Sequence, residues 1–301
     1  MENKTIYTIK RIGDSQIEID FVNNNNRKIR TLEDLLSEIG IGYFQYRLLA
    51  LCGLAFMADS MEISLLGYLS TCAGITFNLD DAKRASISGI VFGGQLIGSL
   101  LWGKIGDRFG RRKSFLLSAL TISIFGFISG LSPNYSSLLI LRMLVGVGIG
   151  GVIIPFDIIA EFMPLSHRGQ FLVLIEYFWT IGSMMIAGLA WILLSTYSWR
   201  ILTIITALPV TISLIFSSYY LPESVRWLIS RRKTEEAERV IKNIAAINGV
   251  QLEPFKLSYD LEFPTSEQPS SWLELVSNEY MLRRTIPLWV NIIIIITLSL
   301  T

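Results

Sequence analysis

Three ionisable residues, Asp59, Glu62 and Arg142, lie deep inside stretches of the chain that are otherwise apolar. Asp59 and Glu62 are three positions apart, which puts both carboxylates on one face of a helix. A charge in such surroundings is costly, and where it persists it marks an ion or substrate path. Counted at about 1.5 Å per residue from one side of the membrane, Asp59 lies roughly 16 Å deep, Glu62 roughly 21 Å and Arg142 about 24 Å. These levels overlap within a side chain's reach. The spacing lets either carboxylate meet Arg142, which would hold its partner charged until the two separate, with Glu62 nearer to it in depth. Such a set can couple proton exchange to the breaking and remaking of an ion pair. The plainer alternative is a static pair that only permits insertion into lipid. Glu176, within two turns of the start of a later apolar stretch, is a further candidate, for transport or for a helix-dipole interaction. Asp157 and Glu161, four apart at the end of the stretch that carries Arg142, read as gate or interface residues.

Other chemistries are poorly served. His167 is the single histidine, so there is no His-rich metal site and no histidine triad, and no nucleophile–base pair points to an enzyme. Cys52 and Cys72 would be roughly 30 Å apart on a straight helix, too far for a disulfide. Gly146-Val-Gly-Ile-Gly-Gly151 matches G-x-G-x-x-G, but it lies inside one apolar helix and lacks the preceding strand that a dinucleotide site needs. Close helix packing accounts for it, as for the small-x-x-x-small spacings Gly89/Gly93, Gly94/Gly98 and Gly146/Gly150. No G-x-x-x-x-G-K-[ST] sequence occurs, and nothing calls for a cofactor.

Composition sets the elements that position these residues. Of 301 residues 51% are hydrophobic and 17% charged, and the mean hydropathy is +0.49; soluble domains carry about 25% charge. The apolar residues gather at 48–72, 86–102, 114–132, 138–158, 171–195 and 201–221, each near the ~20 residues that cross a bilayer as a helix. A soluble protein would have no amphipathic shell to cover six such helices. The lipid bilayer is thus the first partner. A net charge of +1 gives no case for nucleic acid. The expected organisation is a tail over 1–47, a six-helix bundle over 48–221, a connection over 222–284 and a truncated seventh helix over 285–301. Residues 1–30, polar and including Asn23 to Asn26, are expected to be disordered.

Basic residues give the orientation. The tail and alternate connections hold 22 Lys and Arg, against Lys83, Arg84 and Arg200 on the opposite side. The N-terminus is expected to be cytoplasmic, which excludes a seven-helix receptor. Thr31-Leu-Glu-Asp34 reads as a capping box with Asp in place of Glu. It opens a short amphipathic helix that stops at Gly40. A second helix is expected from Glu235 to Ile247, braced by Glu235/Arg239 and Glu238/Lys242, and 250–270 reads as linker.

Gly103-Lys-Ile-Gly-Asp107-Arg108-Phe-Gly110-Arg111-Arg112 resembles the signature loop of the major facilitator superfamily, G-x-x-x-D-R-x-G-R-R. Arg142-Met-Leu-Val-Gly146, Ala160-Glu161-Phe-Met-Pro164 with Arg168-Gly169, and Pro222-Glu223-Ser224-Val-Arg226-Trp227-Leu228 are similar to patterns of its sugar-porter and organic-ion branch, with Val225 in place of a proline. Met57-Ala-Asp59-Ser-Met-Glu62 and Leu174-Ile-Glu176-Tyr-Phe-Trp-Thr-Ile-Gly182 look most like the synaptic-vesicle-two-related proteins. The resemblance covers 31–301, thinly over 250–275.

The resemblance implies an all-α membrane fold: the first six-helix bundle of a twelve-helix protein, built as a three-plus-three inverted repeat, with one helix of the second bundle. It implies that Asp107, Arg108, Arg111, Arg112, Glu161, Arg168, Glu223 and Arg226 form a cytoplasmic latch between the bundles, with Gly103 and Gly110 shaping the loop. Asp59 and Arg142 match a proton-coupling pair, and Glu62 belongs to the vesicle-protein pattern. The expected function is secondary transport of a small organic solute, sugar or organic ion, coupled to protons. The partner would be a missing C-terminal half or a second copy of the chain. The expected membrane is the plasma membrane or an intracellular vesicle. The alternatives are a vesicle-membrane protein that serves trafficking or partner binding, and a fragment with no function of its own.

Overall fold

The computed structural model describes residues 6–12, 16–22 and 28–257; the expected seventh helix at 285–301 lies outside the described residues. Six spans are long and apolar enough to cross a membrane. They are α2 (Tyr43–Thr76), α3 (Asp81–Phe109), α4 (Arg111–Gly130), α5 with α6 (Tyr135–Ile149, Ile154–Phe162), α7 (Leu165–Thr196) and α8 with α9 (Trp199–Thr206, Leu208–Tyr220). α1 is Leu32–Ile39. Most spans start before their apolar block because polar caps lie outside it. The Asp80 and Asn134 side chains accept from the Lys83 and Ser137 N–H groups, satisfying donors that a helix start leaves over.

Two spans expected as single helices are broken. In the fourth, α5 ends at Ile149 and α6 begins at Ile154, with Gly150 and Gly151 in the turn and Pro155 in the first turn of α6. In the sixth, Ala207 separates α8 from α9, and Pro209 follows. Proline has no N–H to continue the ladder and clashes with the preceding turn. Hydropathy averaged over a span is blind to this.

α2 is the most buried span and packs against α3, α6, α7, α8 and α9. The second span packs on the fourth, the first on the fifth and the third on the sixth, and the third also packs on the fourth as the first does on the sixth. Exchanging spans one to three with four to six maps the first pairing onto the second and the third onto itself, as a three-plus-three repeat requires. Gly94 and Gly98 lie against the α5 backbone at Met143 and Val147, and Gly146 lies against Val91. This is the close approach expected of them. Gly89 and Gly93 face open space, so their matching spacing packs nothing among the described residues.

The fold departs from all-α at the end that carries the 103–113 loop. β1 (Ile6–Ile12) and β2 (Gln16–Val22) pair antiparallel, β3 (Lys28–Arg30) follows, and β4 (Phe255–Leu257) joins β3 in parallel. The tail expected to be disordered is therefore partly a hairpin. Apolar residues at Ile17, Ile19 and Phe21 carry the period-two signal that overall polarity conceals. β4 likewise falls within the stretch expected as linker.

α10 (Val225–Ser230) was not expected, whereas α11 (Thr234–Ile247) was. The brace between Glu238 and Lys242 gives way to docking: Glu238 accepts from the Leu257 N–H at 3.2 Å and Lys242 lies over the Phe255 ring. Just beyond α11, the Asn248 carboxamide accepts from Phe44 N–H at 3.0 Å and donates to Gln45 at 2.8 Å. That ties the connection to the start of α2.

Candidate functional site

The buried charges are paired differently from the expectation. Arg142 donates through Nη1 to Glu62 Oε2 at 2.6 Å, and both side chains are 0% exposed. Ser129 Oγ accepts from Arg142 Nη2 at 2.9 Å, and the Thr206 hydroxyl donates to Glu62 Oε1 at 2.9 Å. α2, α4, α5 and α8 each supply one member. A buried ion pair is tolerated when further hydrogen bonds satisfy its atoms, and the two hydroxyls do so here in part, leaving Arg142 Nε buried without a partner among the described residues.

Asp59 makes no ion pair with Arg142. It is 4% exposed, its Oδ1 has no hydrogen-bond partner, and it faces a small cavity beside the break in the fourth span. The reason is geometric. Three residues on a helix differ by about 4.5 Å in height and about 60° in direction, and the higher carboxylate meets the guanidinium. Glu176, on the exposed side of α7, takes no part in this cluster among the described residues.

Ser129 and Thr206 escaped the sequence reading. Hydroxyls in apolar helices commonly bond their own backbone: Ser129 donates to the Gly126 carbonyl, and the one Thr206 proton is shared between Glu62 and the Thr203 carbonyl. Thr206 stands at the break before Pro209, a position that would have singled it out.

The loop residues converge on one face. Arg111 lies 3.2 Å from Asp107, 3.6 Å from Glu161 and 4.0 Å from Asp157. Glu223 accepts from the N–H groups of Arg112 and Ser224, both at 3.0 Å. Gly110 has φ +105° and presses against the Glu223 carboxylate, so a side chain there meets both strain and a clash. Gly103 faces open space, and Arg108 is exposed beside the Phe109 ring. The Asp107 carbonyl accepts from Trp227 Nε1 at 3.0 Å and Arg231 at 2.9 Å.

Arg168 and Arg226 both reach Glu33 of α1, Arg168 at 2.8 Å. The sequence marks Glu33 only as part of a helix start. Its carboxylate joins α1 to the start of α7 and to α10. Glu33→Gln removes the charge from two charge-assisted contacts in a partly exposed site, so a loss of about 1 kcal/mol is expected. Hydrogen exchange over 32–39 should accelerate several-fold; unchanged protection would refute the role of Glu33.

Six apolar spans in a three-plus-three arrangement, with a buried ion pair between the first and fourth, define a multi-pass membrane protein of the major facilitator fold. The sequence model described as "Sugar (and other) transporter" matches residues 34–299, and the chain belongs to that family. It is 37% identical to the "Organic cation/carnitine transporter 7" of Arabidopsis thaliana, over 79% of this chain and 47% of that protein. It is 38% identical to the "Synaptic vesicle 2-related protein" of Xenopus laevis, over 75% of this chain and 41% of that one. The chain thus spans about half the length of these curated relatives. Among solved structures, the proton:xylose symporter XylE shares the fold, with a TM-score of 0.58 and 24% identity over 69% of this chain and 50% of that one.

Proposed function

We propose that this chain is the first bundle of a secondary active transporter of a small organic solute, a sugar or organic ion, working by alternating access with proton coupling. Its N-terminus and the 103–113 loop lie in the cytoplasm. The observation that carries the reading is the Glu62–Arg142 pair, buried at 0% exposure between the first and fourth spans, where transporter sites form at a repeat interface. Protonation of Glu62 releases Arg142, and a solute or a second bundle can then compete for the guanidinium. Glu62 takes over the role that the resemblance implies for Asp59. The second bundle comes from further chain or from a second copy, and the Arg111 and Glu223 clusters form this bundle's side of the latch.

The test is uptake by proteoliposomes of purified protein whose oligomeric state is known, with labelled xylose, glucose, tetraethylammonium and carnitine under an inward proton gradient. Glu62→Gln keeps the shape and an acceptor for Thr206 but cannot cycle its charge. It is expected to lose proton-driven accumulation at least about tenfold, while exchange without a gradient persists. Undiminished accumulation would remove Glu62 as the coupling group. A second reading, a vesicle-membrane protein that binds partners, draws support from the hairpin of β1 and β2. No uptake of any probe, together with a partner captured by residues 1–47, would favour it.

A further inference from the structure

The cavity beside Asp59 is used by neither the ion pair nor the loop. Its volume is about 10 Å3, and its polar wall consists of Asp59, Ser118 and the backbone at Gly148 and Gly151; Pro155 and apolar side chains close the rest. That is about one water-sized sphere.

Donors and acceptors in this wall are unbalanced. Asp59 Oδ1 is buried and unpartnered. The Ser118 hydroxyl already donates to the Phe115 carbonyl at 3.0 Å, which leaves its lone pairs free. The Gly151 N–H is given to the Gly148 carbonyl at 3.0 Å, and Pro155 has none to give. The wall therefore offers acceptors and no free donor. It also lies at the break, between the C-terminal end of α5, whose carbonyls favour a cation, and the first turn of α6, which favours the Asp59 carboxylate. Gly151 keeps the space open, because a Cβ there would fall 2.8 Å from Ser118 Oγ.

Charge points the same way. Arg142 is consumed by Glu62, so with Asp59 ionised these three buried residues carry one negative charge in excess. Glu62 sits three residues from Asp59 on the same helix, and no basic side chain lines the cavity. In a membrane interior an uncompensated carboxylate is expensive.

We propose that this cavity binds one sodium ion, held by the Asp59 carboxylate, the Ser118 hydroxyl and carbonyl oxygens at the broken turn of the fourth span. A space of this size admits either ion, and the carboxylate, a ligand of concentrated charge, favours the smaller sodium over potassium because attraction grows as the separation shrinks. Discontinuous helices with exposed carbonyls form such sites in membranes. The site is separate from the Glu62–Arg142 pair and does not depend on it for transport.

The test needs no substrate. The purified 301-residue chain in nanodiscs is unfolded thermally in sodium, potassium or choline chloride at equal ionic strength, and retention of labelled sodium is measured by equilibrium dialysis. Sodium alone should raise Tm, in proportion to the logarithm of its concentration above the Kd and by roughly 5 °C at about a hundredfold excess, while retention in dialysis saturates. Asp59→Asn, which removes the buried charge and keeps the shape, should unfold at the same temperature in all three salts and retain no sodium. Ser118→Ala should raise the sodium concentration needed by about fivefold or more. Equal Tm in sodium and potassium, or a sodium response that survives Asp59→Asn, would overturn the site. So would stabilisation by lowered pH with no sodium effect, which would assign the cavity to a proton.

Discussion

Arg142→Leu is expected to destabilise the bundle by about 3–5 kcal/mol, because it leaves the Glu62 carboxylate buried at 0% exposure with the Thr206 hydroxyl as its one remaining partner among the described residues. The loss comes from the stranded carboxylate and not from the missing attraction. Replacing both members, as Glu62→Leu with Arg142→Leu, should therefore recover most of the stability while abolishing any function that depends on the pair. Ser129 loses its guanidinium partner in either variant but still donates to the Gly126 carbonyl, so it adds little. Unfolding in nanodiscs decides between outcomes. If the double variant is as unstable as Arg142→Leu alone, the pair is not balanced as its geometry requires.

Gly98→Ala should be the next most damaging change, with Gly94→Ala close to it. A Cβ at Gly98 would overlap the Val147 carbonyl and come within 2.9 Å of its Cα; at Gly94 it would overlap the Met143 carbonyl. These are backbone atoms, which cannot rotate away as a side chain can. α3 must separate from α5, at a cost of about 1–3 kcal/mol for each substitution. Gly93→Ala is the internal control. It faces open space and should be neutral or up to ~1 kcal/mol stabilising, since alanine is the better helix former. Equal effects at 93 and 98 would show that α3 does not meet α5 through the 94/98 face.

Much of this was legible along the chain. Six apolar blocks separated by charged connections fix the number of spans, since the bilayer acts on each block independently of the others. The Gly103–Arg112 loop announces the family. The helix at 32–39 and its stop at Gly40, φ +65°, follow from a capping threonine and a glycine. These are local properties, and local properties are written in order.

What the chain could not reveal is which atoms meet. Asp59 and Glu62 share a face, and sequence spacing alone leaves both eligible for Arg142. The rise and rotation of α2 against α5 select Glu62 and leave Asp59 beside a cavity. Likewise Gly93 and Gly94 are adjacent and chemically identical, yet a turn of about 100° per residue sends one to open space and the other into the α5 backbone. Arg168 and Arg226 carry a motif, but their shared partner Glu33 stands 135 and 193 residues away. Hydropathy and charge bias act on a segment as a whole and survive averaging over it. Hydrogen bonds and close contacts depend on angle and height to within an ångström or two, and only the packed bundle sets those.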